Sequence, residues 1–217
     1  MGCLSIYDVI IFDCDGVVLN SNKVKTDAFY ESARSYGESY ARALVEYHVR
    51  NGGVSRYKKY EYFFTDILKV DIVQEELDFL LSDFAIKVRQ GLLSCNIADG
   101  LEELRSQSQH AKWFIVSGGD QAELREIFSL RGLERFFDGG IFGSPDSKDL
   151  ILHREVAGKL TTGVGLFIGD SQYDYEAATR AGLDFIFVKE WSEFSGAESY
   201  FEGKKLKFVN SISELCL

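Results

Sequence analysis

The sequence is poor in paired cysteine, in positive charge, in long apolar runs and in proline, and most of these shortages remove a class of protein. The four cysteines, Cys3, Cys14, Cys95 and Cys216, show neither zinc-ligand spacing nor a disulfide-rich pattern, so reduced thiols in a cytoplasmic protein are expected. Acidic residues outnumber basic ones 34 to 24, giving a net charge of -10 and a pI near 4.9. That balance argues against nucleic acid and against an anionic membrane surface as partner, because both demand a basic face. A small anionic substrate stays open if local cations and a metal receive it. No stretch approaches the roughly 20 apolar residues of a membrane span. The start lacks a basic segment followed by a long apolar one, so no secretory signal is expected. Met1-Gly2-Cys3 looks like a myristoylation start, but Ile6 stands where Ser or Thr is needed. Pro145 is the only proline, and it fixes a turn considered below. Neither an internal repeat nor a low-complexity tract is present.

What is there is a chain of 217 residues, 46% hydrophobic, enough for one large α/β domain with a smaller one inserted. Val9 to Phe12 is short, apolar and β-branched or aromatic, which reads as a central strand covered on both faces. It runs straight into Asp13-Cys14-Asp15-Gly16. A carboxylate at the C-terminal end of a central parallel strand points into the crevice where open α/β sheets bind ligands. Gly16 permits a turn that brings Asp15 to the same crevice. Two carboxylates so close repel, and one keeps its proton unless a cation sits between them. Mg²⁺, a hard ion that takes oxygen ligands and keeps some waters, suits that role. From this stretch alone, a strand followed by an acidic loop is the other reading. Cys14 reads as a small packing residue rather than a nucleophile.

From about residue 20 to 92 the pattern is helical. Ser21 or Asn22 can cap a helix carrying Val24, Ala28, Phe29 and Ala33. Tyr40, Ala43, Leu44 and Tyr47 fall at helical spacing in a second, ended by Asn51-Gly52-Gly53. Ser55 caps a third with Tyr57, Tyr60, Phe64, Ile67 and Leu68, and Val73, Leu77, Leu80, Leu81, Phe84 and Val88 mark a fourth. Gly91 to Ala98 reads as the return linker, and Asp99 with Glu102 as a capping box for the next helix.

The α/β rhythm then resumes. A strand at Trp113 to Val116 empties into Ser117-Gly118-Gly119, where a hydroxyl and free backbone N–H groups at a helix start make an anion site. Ser-Gly-Gly is also a common turn. Ile141-Phe142 is a short strand followed by Ser144-Pro145-Asp146-Ser147-Lys148 and a helix bearing Ile151, Leu152, Val156 and Leu160. Lys148 is either a solvated helix-start residue or, since a cation there opposes the helix dipole, one that faces an anion. Val164 to Ile168 ends in Gly169-Asp170-Ser171-Gln172-Tyr173-Asp174, again a strand delivering an acid to the crevice. Asp184 to Val188 and Lys207 to Val209 read as the last strands.

Four separated stretches resemble, in order and each at a strand end, the signature motifs of the haloacid dehalogenase superfamily. They are Asp13-Cys14-Asp15-Gly16-Val17, Ser117-Gly118-Gly119, Ser144 to Lys148, and Gly169 to Asp174. In particular the chain resembles the helical-cap phosphatases, the phosphoglycolate phosphatase and β-phosphoglucomutase group. The resemblance implies a Rossmann-like parallel sheet sandwiched by helices, formed by residues 1–19 and 93–217, with an inserted α-helical bundle cap at 20–92. It implies Asp13 as nucleophile, forming an aspartyl-phosphate, and Asp15 as general acid and then base. It makes Ser117 with the amides of Gly118 and Gly119 the holder of the phosphoryl oxygens, and Lys148 the neutraliser of charge on phosphate and Asp13. Mg²⁺ would be bound by Asp13, Asp170 and the backbone carbonyl of Asp15, with Asp174 supporting Lys148 or a metal-bound water. A dehalogenase would lack Asp15, and a phosphonatase would replace it with a small residue. The implied activity is thus a phosphomonoesterase acting on a small phosphorylated metabolite, with a phosphomutase or a non-catalytic metabolite-binding module as alternatives, as monomer or homodimer.

Leaving-group choice falls to the cap. Asn51 to Arg56 with Lys58 and Lys59 joins a flexible glycine pair to three cations, and Arg56 and Lys59 are the candidate substrate contacts. The other reading is a connecting turn with solvated charges. Asn20-Ser21-Asn22-Lys23 can also face the substrate. The Asn-Gly-Gly segment resembles phosphatases of this superfamily linked to bacterial surface-sugar or nonulosonate pathways, which implies a sugar phosphate or sugar-acid phosphate. His48, His110 and His153 read as structural or surface residues. Tyr57, Tyr60, Tyr62, Phe63 and Phe64 read mostly as cap core. Trp191 and Phe194 either line the mouth of the site or cover the sheet.

Overall fold

Val9–Phe12 (β1), Lys112–Asp120 (β2), Gly140–Ser144 (β3), Gly165–Gly169 (β4), Asp184–Val188 (β5) and Lys207–Val209 (β6) form one sheet in the computed structural model, which describes residues 4–159 and 164–216. All neighbours pair in parallel, in the order β3-β2-β1-β4-β5-β6. The connections out of β1 run one way across the sheet and those out of β4 run the other. A crevice therefore opens at the C-terminal ends of β1 and β4, the usual ligand position of such sheets.

The central strands are apolar throughout because helices cover both faces. Ile10, Phe12, Trp113, Ile115, Leu166 and Ile168 point to one side, and Val9, Ile11, Phe114, Val116 and Phe167 to the other. The first side packs with Leu101–Gln107 (α5) and Gln121–Leu130 (α6). The second packs with Lys148–Ile151 (α7) and its continuation Leu152–Val156, with Gln172–Arg180 (α8), and with Ala197–Tyr200 (α9). This bears out the expected Rossmann-like α/β sandwich. Leu160, expected on the face of α7, lies outside the described residues, as do Met1 to Cys3 and the acylation-like start they form.

Between β1 and β2 the chain builds four helices: Asn22–Ala33 (α1), Glu38–Arg50 (α2), Arg56–Tyr62 (α3) running on through a wider turn at Phe63–Leu68, and Gln74–Ser94 (α4). Phe29, Leu44, Tyr60, Phe63, Phe64 and Phe84 close their core. Three local expectations are corrected. On α2 Leu44 is buried as expected, but Tyr40 is exposed and Ala41 and His48 complete the buried stripe, with the His48 ring 4.6 Å from that of Phe29. Gly91 does not begin the return linker but lies inside α4, where a Cβ would stand 2.3 Å from Val24 Cγ1; its missing side chain lets α4 lie against α1. The capping box at Asp99 does not form. Gly100, at φ +86°, is the cap, with no side-chain hydrogen bond.

The chain passes between cap and sheet twice at one place. Asn20 N donates to Asn96 O at 2.9 Å, and Ala98 N donates to Val18 O at 2.9 Å.

Candidate active site

Asp13 is the first residue past β1. Its backbone N–H donates to Ile168 O at 2.9 Å, so β1 stays paired to β4 up to the carboxylate and fixes it over the crevice. The side chain is buried, and Oδ1 lies 2.9 Å from Lys148 Nζ. The angles of that ion pair leave Oδ1 without an aligned hydrogen bond. Lys148 opens α7, is 1% exposed and also pairs with Asp174 Oδ1, which settles the sequence alternatives in favour of an anion-facing lysine. Asp174 belongs to a reciprocal cap of α8: its Oδ2 accepts from Ser171 Oγ at 2.7 Å and Ser171 N at 3.1 Å. One rigid helix start thus holds Asp174, and Asp174 holds Lys148.

Asp170 follows β4 and is buried, with Oδ2 accepting from Asn22 Nδ2 at 2.8 Å. Burial, then the charges of Asp13 and Asp174, raise its carboxyl well above the usual range. Burial is also the largest influence on Asp13. Lys148 opposes it, Asp174 and Asp15 add to it, and the result is about 7. Oxygens of Asp13, Asp170 and Asp174 lie within 4.8 Å of one another. Two of these carboxylates thus gain by a further positive charge at the point where they converge, and an all-oxygen donor set suits a hard divalent ion.

Asp15 is brought to the same crevice, but its carboxylate faces the cap. Oδ1 accepts from Ser21 Oγ at 2.6 Å, and Oδ2 pairs with Lys25 Nζ. Burial pushes its carboxyl up, and Lys25 and the two hydrogen bonds outweigh that, leaving it below the usual value. The turn needs Gly16 twice over. Its φ is +77°, and a Cβ would meet Asp170 Oδ2 at 2.1 Å. Cys14 is fully buried in the core and its thiol is raised well above the ordinary value by burial, as a packing residue requires.

Ser117, Gly118 and Gly119 lie where the β2–β3 register breaks between Val116 and Asp120. Ser117 Oγ accepts from Gly119 N at 3.0 Å, and both glycines line the cavity. A Cβ on Gly118 would meet Gly53 O at 2.2 Å, so the cap loop after α2 rests directly on this turn.

A cavity of about 200 Å³ lies between sheet and cap, lined by Asp13, Asp15, Asp170, Gly118 and Gly119 below and by Asn51 to Val54, Arg56 and Lys59 above. Of the three cap cations, Lys58 faces solvent beside Glu61, whereas Arg56 and Lys59 are buried on the wall. Both terminal nitrogens of Arg56 donate to Glu123 of α6, and its guanidinium lies 4.6 Å over the Phe84 ring. Tyr60, Phe63 and Phe64 are cap core, while Tyr62 stacks on Tyr47 at 3.7 Å. Phe194 both lines the cavity and packs on Phe187 and Phe201.

Lys25, His48 and Glu193 also line the cavity, and the sequence reading did not single them out for the site. The signal was there for two of them. Lys25 shares a helical stripe with Ala28, Phe29 and Ser32, and His48 shares one with Ala41 and Leu44, each a polar group on a buried face.

A model of the haloacid dehalogenase-like hydrolase family matches residues 7–182. The chain belongs to that family. Among relatives of this dehalogenase-like hydrolase, a phosphorylated carbohydrates phosphatase of Thermotoga maritima is 27% identical over 188 residues, covering 83% of this chain and 84% of that one. The fold is similar to β-phosphoglucomutase from Clostridium difficile, with a TM-score of 0.72, 18% identity and coverage of 96% and 93%. It is likewise similar to CbbY from Rhodobacter sphaeroides in complex with phosphate, with a TM-score of 0.69, 16% identity and coverage of 96% of both chains. Family membership and the phosphatase relative agree with the expectation of a phosphoric monoester hydrolase. No helix among the described residues is long and apolar enough to cross a membrane.

Proposed function

We propose that this hydrolase releases phosphate from a small phosphorylated carbohydrate or sugar acid by way of Asp13. The observation that carries the reading is a buried carboxylate at the end of the central strand, one oxygen beside the Lys148 ammonium, in a cavity roofed by a separate cap. A phosphate seated on the Ser117 hydroxyl, which the Gly119 N–H orients, and on the Gly118 amide presents phosphorus to Asp13. Attack by the Asp13 carboxylate forms the acyl phosphate while the bond to the leaving oxygen breaks. Asp15, whose carboxyl, despite burial, Lys25 and Ser21 hold below the usual value before substrate binds, acts as acid to that oxygen once the substrate draws Lys25 away and a proton takes its place. It then takes a proton from the water that hydrolyses the intermediate. Lys148, held by Asp174, balances the charge gathered on the phosphoryl group, an effect typically worth ~10²–10³ in rate. Asp13, Asp170 and the backbone carbonyl of Asp15 would hold Mg²⁺, which supplies further positive charge to the phosphoryl oxygens.

The test is phosphate release, with and without Mg²⁺, from sugar phosphates, sugar-acid phosphates, nucleotides and 4-nitrophenyl phosphate, with Asp13→Asn in parallel. Metal-dependent release that disappears in Asp13→Asn supports the reading. Absence of release from every substrate, by protein that binds Mg²⁺, points instead to a phosphomutase or a binding module.

A further inference from the structure

The cations around the cavity are almost all neutralised by the chain itself. Lys148 is paired with Asp13 and Asp174, Lys25 with Asp15, and Arg56 with Glu123. Lys59 differs. It is 2% exposed, and its Nζ lies 2.7 Å from His48 Nδ1 with no carboxylate within ion-pair distance among the described residues. Both side chains lie on the cap wall of the same cavity that holds Asp13 at its floor.

A buried ammonium is costly unless an anion and hydrogen-bond acceptors satisfy it. His48 supplies one acceptor and no charge. Burial and the nearby Lys59 and Lys25 keep its imidazole neutral. Burial, and then the charge of Lys25, draw the Lys59 ammonium down to about 7, against the opposing pull of the Asp15 and Glu193 carboxylates, which stand beyond ion-pair distance. The charge of the next cation, Arg56, is already balanced by Glu123, which accepts from both terminal guanidinium nitrogens.

We propose that Lys59, oriented by His48, is a subsite for a carboxylate, and that the preferred substrate is a phosphomonoester carrying a carboxylate at the end remote from the phosphate. One buried cation with no carboxylate at ion-pair distance among the described residues matches one singly charged group. A second phosphate brings roughly two negative charges and would need a further cation; Arg56 is committed to Glu123, and Arg50, the other arginine of the lining, is mostly exposed beside Glu46. The ammonium spends one N–H on His48 Nδ1 and keeps two for the two oxygens that a carboxylate presents. The inference rests on the phosphatase reading for its substrate, but the subsite stands on the cap side chains.

The experiment compares matched substrates that differ only in the remote group: 6-phosphogluconate against glucitol 6-phosphate, and 3-phosphoglycerate against glycerol 3-phosphate, with fructose 1,6-bisphosphate as the doubly phosphorylated probe. The wild-type enzyme is expected to favour the acid of at least one pair by roughly 10- to 100-fold in kcat/KM, the span of one charge-assisted hydrogen-bonded contact. In Lys59→Met that ratio falls toward one, mainly through KM, and in Lys59→Arg it is partly restored. Because the ratio is taken within one protein, a loss of folded fraction cancels. An acid-to-alcohol ratio near one in wild type for both pairs, or a ratio unchanged by Lys59→Met, overturns the proposal. So does a preference for the bisphosphate that Lys59→Met removes, which would make the group a second-phosphate site. If no substrate is turned over at all, the phosphatase reading fails by itself. The subsite is then read by calorimetric titration with gluconate and neutral glucitol. Gluconate bound by wild type and lost in Lys59→Met sustains it, and equal behaviour of the two proteins overturns it.

Discussion

Arg56 and Glu123 tie the cap to the sheet domain, and severing them should cost more than most single substitutions. Their side chains are 6% and 11% exposed, and the guanidinium donates to both carboxylate oxygens, with Nη1 to Oε2 at 3.2 Å. Replacing Arg56 by Met leaves the Glu123 carboxylate buried without its partner, a situation that costs about 3–5 kcal/mol. It also removes a guanidinium from the face of Phe84, worth about another 0.5–2 kcal/mol. At about 2–4 °C per kcal/mol for a protein of this size, the thermal midpoint should drop by ~7–28 °C. The double variant Arg56→Met/Glu123→Leu removes both charges together with their desolvation cost, and should recover at least half of that drop. Melting curves of wild type, both single variants and the double variant, taken in one buffer, close the cycle. A fall below ~2 °C for Arg56→Met, or a double variant that falls by the sum of the singles, would refute the claim that the pair is a buried, mutually dependent contact.

Other consequences are as direct. Gly118→Ala places a Cβ against Gly53 O and should lift the cap loop from the phosphate turn. KM should rise and kcat fall, with a thermal midpoint changed by only a few degrees, as steady-state kinetics and melting would record. Gly91→Ala drives a methyl into Val24 and should destabilise by about 1–3 kcal/mol, read from urea unfolding; an unchanged midpoint would mean α1 and α4 are not in that contact. Lys59 gives a pH prediction with a definite sign. Its folded value, about 7, lies below the ordinary 10.5, so between those values the unfolded chain binds the extra proton and stability rises with pH, by up to about 1.4 kcal/mol per pH unit. Lys59→Met should lose that slope, and parallel pH profiles for the two proteins would contradict it. Removing divalent metal with EDTA should abolish phosphate release and Mg²⁺ should restore it, which a phosphate-release assay checks.

The parts of the site that a sequence announces are those fixed by the ends of strands. Asp13, Ser117, Lys148 and Asp170 each follow a short apolar run or the turn after one, and the sheet order then brings those ends together with no further information. The strands themselves were legible because burial on both faces makes them continuously apolar. Helix faces were less so. On α2, Tyr40 and Tyr47 have the right spacing and the right residue type, yet the helix turns Ala41, Leu44 and His48 inward, with the His48 ring 4.6 Å from that of Phe29, while Tyr47 stacks on Tyr62. Gly91 looked like a stop and serves as a contact. Least legible was Glu193, which carries no periodic signal, and after it Lys25 and His48, whose roles depend on which groups they meet across the cavity. Periodicity can flag a polar residue on a buried stripe, but the partner comes from another element and is a matter of tertiary geometry.

The two backbone crossings between cap and sheet domain lie side by side, Val18 to Asn20 against Asn96 to Ala98, and are hydrogen-bonded to each other. The four-helix segment therefore enters and leaves the remainder of the chain through one doorway. A segment attached in this way is an interchangeable module. It can be exchanged for another of different length or shape by splicing at one spot, while the strand-end residues beneath keep their register. A lineage built on such a doorway can change what it recognises without redesigning how it reacts.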